Sequence, residues 1–96
     1  MIAEFLPQAK AEICDAVAYY EGELPRLGQR FWDEIDRHIT WIAENPEVPR
    51  LRDGGYRRVN LSVFPYYLAY IVRSNIIWIL SVAHGHSLPE YCIDRT

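Results

Sequence analysis

The chain is 96 residues long, 50% hydrophobic and 24% charged, with a formal net charge of −3. That length suits one domain around one core, and an aromatic share of 14% excludes a disordered chain. The acidic balance argues against broad nucleic-acid affinity, and two cysteines cannot build a disulfide framework.

Charge is unevenly spread. Residues 1–47 hold ten acids and four bases, a net of −6, whereas residues 48–96 hold three acids and six bases, a net of +3. An acidic helical surface beside a sheet with ordinary surface arginines is the plainer account, and the alternative is that the positive second half receives an acidic partner segment or a local phosphate. The N-terminus, Met1-Ile2-Ala3-Glu4-Phe5, has no basic leader region. A cytoplasmic protein with free thiols is the expectation, Cys14 being a small core or boundary residue of a helix.

Residues 2–6 suit a short first strand. Pro7 suits the first turn of a helix over about 7–22. Ala9, Ile13, Ala16 or Val17, Tyr20 and Leu24 recur at spacings of three and four and should form its buried face. Lys10, Glu12, Asp15 and Glu21 should largely face water. Leu27, Phe31, Ile35, Ile39 and Ile42 repeat the pattern in a second helix over about 26–44, which Asn45-Pro46 stops. Asp33 and Arg37 stand four apart in the favourable acid-first order. Trp32 and Trp41 are expected in core or boundary packing. The short link makes the two helices an antiparallel hairpin.

Residues 45–54, with Pro46, Pro49 and the start of the Gly54-Gly55 pair, should be a loop. In 56–63, Arg57, Val59, Leu61 and Val63 alternate with Arg58, Asn60 and Ser62, which predicts one buried and one wet face. Arg57 and Arg58 then fall on opposite faces, so at most one should touch a partner. Phe64-Pro65 turns the chain. Residues 66–83 contain 14 apolar residues in 18. Arg73-Ser74-Asn75 interrupts them, so two buried strands, 66–73 and 76–83, fit better than a membrane span. Tyr66 and Tyr70 share a face with Leu68 and Val72, which argues for the core, and Tyr67 is presented differently. The expected fold is α+β: an antiparallel sheet with an N-terminal helix hairpin on one face, in the order β-α-α-β-β-β.

Chemistry concentrates at the end of the last strand. His84 and His86 can act as acid or base near neutrality. The plainer expectation is that His84 completes the strand and His86 lies in a loop. A metal site from His84, His86, Glu90 and Cys92 can be drawn, but nothing else in the chain resembles a ligand cluster. Neither a metal nor another cofactor is expected.

Four stretches resemble the ParE/RelE superfamily of toxins from bacterial type II toxin–antitoxin (plasmid stabilization) modules. Ala11-Glu12-Ile13-x-Asp15-Ala16-x-Ala18-Tyr19-Tyr20 is similar to the family's first helix. Leu27-Gly28-x-Arg30-Phe31 and Ile42-Ala43-Glu44-Asn45-Pro46 resemble the opening and close of its second. Tyr56-Arg57-Arg58-Val59-x-Leu61, followed by Phe64-Pro65-Tyr66, resembles its middle strands. Ile79-Leu80-Ser81-Val82-Ala83-His84-x-His86-x-x-Pro89-x-Tyr91 is similar to its C-terminal signature. Together they span nearly the whole chain, as one toxin-like domain over 1–96.

The resemblance implies a growth inhibitor silenced by a cognate antitoxin. RelE-like members are ribosome-dependent mRNA endoribonucleases, and ParE-like members poison DNA gyrase without known catalytic residues. Where the nucleases often carry two lysines on a strand, this chain has Arg58 and Asn60. Tyr67 stands where they often have arginine, and Gly85 or His86 falls at their catalytic arginine. Tyr91 alone matches well. The implied function is therefore ParE-like, with gyrase as the favoured target. The nuclease alternative would use Arg58, His84, His86 and Tyr91 without a metal. A degenerate, non-toxic binding module is the third reading. Expected contacts with target or antitoxin are Glu12, Asp15, Arg57, Arg58, Tyr67, His86, Tyr91 and Arg95. The expected assembly is a homodimer or a toxin–antitoxin hetero-oligomer, with no membrane partner.

Overall fold

A computed structural model describes residues 1–84. Its elements are β1 (Ile2–Phe5), α1 (Pro7–Glu23), α2 (Leu27–Glu44), β2 (Arg57–Asn60), β3 (Tyr66–Arg73) and β4 (Ile76–His84). This is the expected α+β order. The sheet runs β1-β4-β3-β2. β2, β3 and β4 form the expected antiparallel meander, and β1 joins β4 in parallel, which makes the sheet mixed. No helix among the described residues is long and apolar enough to cross a membrane.

Pro7 opens α1, where its missing N–H has no intrahelical partner to lose. Ala9, Ile13 and Ala16 are its buried stripe. Leu24 follows the helix and is exposed, because the chain turns away after Glu23. Phe31, Ile35 and Ile42 are fully buried on α2. Trp32 and Trp41, expected in packing, are surface residues, each 41% exposed. They lie off the Phe31–Ile35–Ile42 stripe, and bulk alone does not turn a helical residue inward. Cys14 is likewise exposed.

Arg26, just before α2, is left-handed at φ 73 and caps nothing with its own side chain. The carboxylate of Glu21 performs that service from α1. It accepts from the backbone N–H of Arg26 at 3.0 Å and of Gly28 at 3.1 Å. A negative charge at a helix N-terminus is also favourable electrostatically.

Gly28 marks the close approach of the two helices. A Cβ there would lie 2.7 Å from the Val17 carbonyl oxygen and 3.0 Å from Glu21 Oε1. Alanine in a helix is worth about 1 kcal/mol over glycine. Here the clash reverses that gain. Gly28→Ala is expected to destabilise by about 1–2 kcal/mol, read as a lowered urea midpoint at unchanged slope. A raised midpoint would refute the close approach.

Ser74 and Asn75 link β3 to β4 with φ of 54° and 62°. Both values suit the tight hairpin turn whose twist matches the strands. Gly54 and Gly55, at φ 98° and 80°, turn the chain between Arg52 and Tyr56.

β2 ends at Asn60, short of the predicted 63, and the alternation fails with it. Leu61 is buried, but Val63 is 67% exposed. The chain has left the sheet by then. Leu61 N–H donates to the Tyr66 carbonyl, and Val63 N–H donates to Glu34. Val72, assigned to the core face, is exposed where β3 approaches the hairpin end.

The sheet buries side chains on both faces. Toward the helices, Leu68, Tyr70, Ile77, Ile79 and Val82 meet Ile13, Phe31 and Ile35. On the other face Tyr67, Ala69, Leu80 and Ala83 cluster with Tyr56. β4 changes phase between these clusters. The register steps from Tyr70↔Ile79 to Ala69↔Ser81, one residue longer on β4 at Leu80. This bulge inverts the later alternation, so Val82 and His84 face the helices.

Candidate functional site

That inversion creates a polar cleft. Beyond the bulge His84 pairs with Tyr66 across the sheet, and their rings stand 5.6 Å apart, edge to face. β1 has already ended at Phe5, so this part of β4 has α1 at its side in place of a strand. Glu12 of α1 serves the exposed edge. Its Oε1 accepts from Val82 N–H at 3.0 Å and from Ser81 Oγ at 3.4 Å. The cleft, about 400 Å³, is lined by Glu12, Asp15, Tyr19, Tyr66 and His84 with small apolar neighbours.

Three residues singled out in the sequence, Glu12, Asp15 and His84, thus meet in one place. Glu12 does not simply face water. It is half-buried and holds β4, which corrects its assignment as a solvated surface acid. Asp15 is exposed as expected.

An aromatic chain backs the cleft. Tyr20 stacks on Phe31 at 5.4 Å and meets Phe64 edge-on at 4.8 Å. Phe31 meets Tyr66 at 5.1 Å, and Tyr66 leads to His84. Such contacts add to the burial of the rings themselves. Burial raises the Tyr20 and Tyr66 phenols above the ordinary tyrosine value, and it does the same for Tyr70, whose hydroxyl donates to the Pro46 carbonyl at 2.7 Å.

A raised phenol pKa favours the protonated folded state. Its contribution is fully present below the unfolded value near 10 and is lost as pH rises through the folded value. The chain has seven tyrosines but one lysine among its ten bases, so tyrosines dominate alkaline titration. Thermal stability is expected to fall above about pH 10. Tyr70→Phe should flatten the fall while costing about 1 kcal/mol at neutral pH. Scanning calorimetry between pH 7 and 11 checks both, and an unchanged alkaline slope in the variant would refute this assignment.

The opposite sheet face carries the other candidates. Arg58 stands across from Ala69 and lays its guanidinium 4.0 Å over the ring of Tyr67. Its Nε donates to Asn60 Oδ1 at 3.2 Å. Tyr67, offered in the sequence as a contact residue, is fully buried beneath it. Arg57 instead ties down the 45–56 segment by donating to the carbonyls of Glu47 and Pro49. Arg58 and His84 therefore occupy opposite sheet faces, which the nuclease reading had required to converge. His86, Tyr91 and Arg95 lie outside the described residues, as do Glu90 and Cys92 of the metal reading. No group of three or more His, Cys, Asp or Glu among the described residues could hold a metal.

Sequence reasoning missed Glu34. This carboxylate is 1% exposed and accepts from Val63 N–H at 3.0 Å, with Phe64 N–H at 3.5 Å. Arg37 approaches it at 3.6 Å, the pairing that replaces the expected Asp33–Arg37 contact. Asp33 accepts from Gln29 instead. The sequence signal was present but small: an acid one residue before the buried Ile35. A second hollow, about 1030 Å³ between α1 and α2, is mainly apolar and includes Cys14 and Trp32.

Residues 3–89 match the family described as ParE toxin of type II toxin-antitoxin system, parDE. The chain is 32% identical over 83 residues to Toxin ParE2 of Mycobacterium tuberculosis, in strains CDC 1551 and H37Rv, covering 82% of this chain and 76% of each relative. A chain from the solved chromosomal ParDE TA system from P. aeruginosa superposes with a TM-score of 0.76 at 18% identity, covering 88% of this chain and 95% of that one. At that identity the superposition establishes a shared fold.

Proposed function

The chain belongs to the ParE toxin family of type II toxin–antitoxin systems, and from that premise we propose that it arrests growth by binding DNA gyrase and is silenced by an antitoxin encoded beside it. The observation that carries binding over cleavage is the separation of Arg58 and His84. Metal-independent RNA cleavage needs a base, a phosphate-stabilising cation and a leaving-group acid around one phosphate. Arg58 lies over Tyr67 on the face away from the helices, whereas His84 lies against Tyr66 on the helix side. A sheet stands between them.

The antitoxin reading is supported by the acidic first half of the chain and the recessed surfaces along α1. An amphipathic helix or extended segment can cover such surfaces. Purified protein in a supercoiling assay tests the target, with loss of supercoiling expected. Induction of the chain alone should arrest growth with a DNA-damage response, and co-expression of the neighbouring small reading frame should restore it. Arrest with cleaved mRNA and unimpaired gyrase would overturn the proposal in favour of a ribosome-dependent nuclease. Absence of arrest would overturn it in favour of a non-toxic binding module.

A further inference from the structure

Resting on the target-binding reading above, we propose that the 45–56 segment is the surface by which the chain docks on its protein target, at an apolar hollow rimmed by carboxylates. Residues 48–58 hold four arginines, Arg50, Arg52, Arg57 and Arg58, against one acid, Asp53. That net of +3 is the whole positive excess of the second half, because residues 59–96 hold two arginines and two acids. None of the four arginines pairs with a carboxylate among the described residues. Arg57 donates to the Glu47 and Pro49 carbonyls, and Arg58 lies over Tyr67 and donates to Asn60. Arg50 and Arg52 make no side-chain hydrogen bond among the described residues.

Two exposed aliphatic side chains stand in this positive segment, Val48 at 68% and Leu51 at 57% exposure. A single exposed aliphatic on a loose loop means little. This loop is held. Pro46 and Pro49 each fix a backbone angle. The Tyr70 hydroxyl donates to the Pro46 carbonyl at 2.7 Å, and Arg57 donates to the Pro49 carbonyl at 2.6 Å, one anchor on each side of Val48. Beyond Leu51, Arg52 N–H donates to the Tyr56 carbonyl at 2.8 Å and closes the segment. Val48, Arg50 and Leu51 are thus presented in one set conformation, and a preorganised contact loses less entropy on binding. Aliphatic side chains gain little against a phosphate backbone. Val48 and Leu51 therefore fit a hollow in a protein, with carboxylates at its rim facing the arginines. The acidic first half and the recesses along α1 suit a partner of the opposite sign, which separates this surface from the one assigned to the antitoxin.

Leu51→Ser and Arg50→Glu, each in the full chain, test this. Both positions are exposed, so each variant should unfold at the temperature of the unmodified protein. Each should raise the concentration needed to inhibit gyrase supercoiling about tenfold. Affinity for the antitoxin from the adjacent reading frame should stay within about twofold. Unchanged inhibition by both variants overturns the loop assignment and leaves the gyrase reading standing. Equal weakening toward the antitoxin overturns it as well, because the loop would then belong to the antitoxin's surface. Duplex DNA alone is the third probe. Saturable DNA binding that Arg50→Glu abolishes and Leu51→Ser leaves intact overturns the assignment to a protein partner. If the unmodified chain leaves supercoiling intact, the gyrase reading falls, and growth arrest on induction decides the loop. Both variants should relieve that arrest, and undiminished arrest overturns the inference.

Discussion

Glu34→Ala is expected to lower the unfolding free energy by about 3 kcal/mol, a fall in Tm of about 12–20 °C for a chain of this size. The carboxylate is buried where the chain turns between β2 and β3. Its oxygens accept the backbone N–H of Val63 and approach that of Phe64. Alanine leaves those donors without an acceptor in a place water reaches poorly, and an unsatisfied buried donor costs about 1–3 kcal/mol. The same anchor seats Phe64 in the aromatic cluster, so the loss extends into the core. Arg37→Ala is the control. Arg37 is mostly exposed and pairs with Glu34 at 3.6 Å, so its removal should cost under about 1 kcal/mol. Equal costs for the two variants in urea denaturation would show that the backbone contacts do not hold the turn.

Phe31→Ala is expected to cost about 4 kcal/mol, much of the stability a domain of this size commonly has. Phe31 is fully buried and touches rings from three elements of the chain: Tyr20 on α1, Phe64 in the turn and Tyr66 on β3. Removing it leaves a cavity that three separately anchored rings cannot all collapse into. Trp32→Ala, one residue along the same helix, should cost clearly less, about 1–2 kcal/mol, because that side chain keeps 41% of its surface exposed. Chemical denaturation followed by circular dichroism compares the pair. If the tryptophan variant lost as much stability as the phenylalanine variant, the buried face of α2 would be misassigned.

These two residues also show how far the sequence could be read. The spacing of Phe31, Ile35 and Ile42 identifies the buried stripe of α2, because burial along a helix follows its 3.6-residue period. Trp32 and Trp41 lie off that stripe, and their bulk misleads. Glu34 lies beside the stripe, and no local pattern announces that a turn 29 residues later will donate to it. Leu61 and Val63 fail differently. Their alternation is sound only while the chain stays in the sheet, and the turn held by Glu34 removes it. In the candidate site, Glu12, Asp15 and His84 were legible as polar residues of interest. Their meeting was not, since 69 residues of chain separate Glu12 from Ser81, to which it bonds.

By itself the sequence determined the element order, the helix hairpin, the Ser74-Asn75 turn and the family. Each depends on local periodicity, on turn chemistry or on motifs read in order. Only the tertiary structure decided which side of the sheet each functional candidate occupies. A single extra residue at Leu80 carries His84 to the helix side, while the register of β2 keeps Arg58 on the other. Side-chain parity in a strand has period two, so one bulge reverses it, and a bulge leaves no mark on the hydrophobic pattern of a strand buried on both faces.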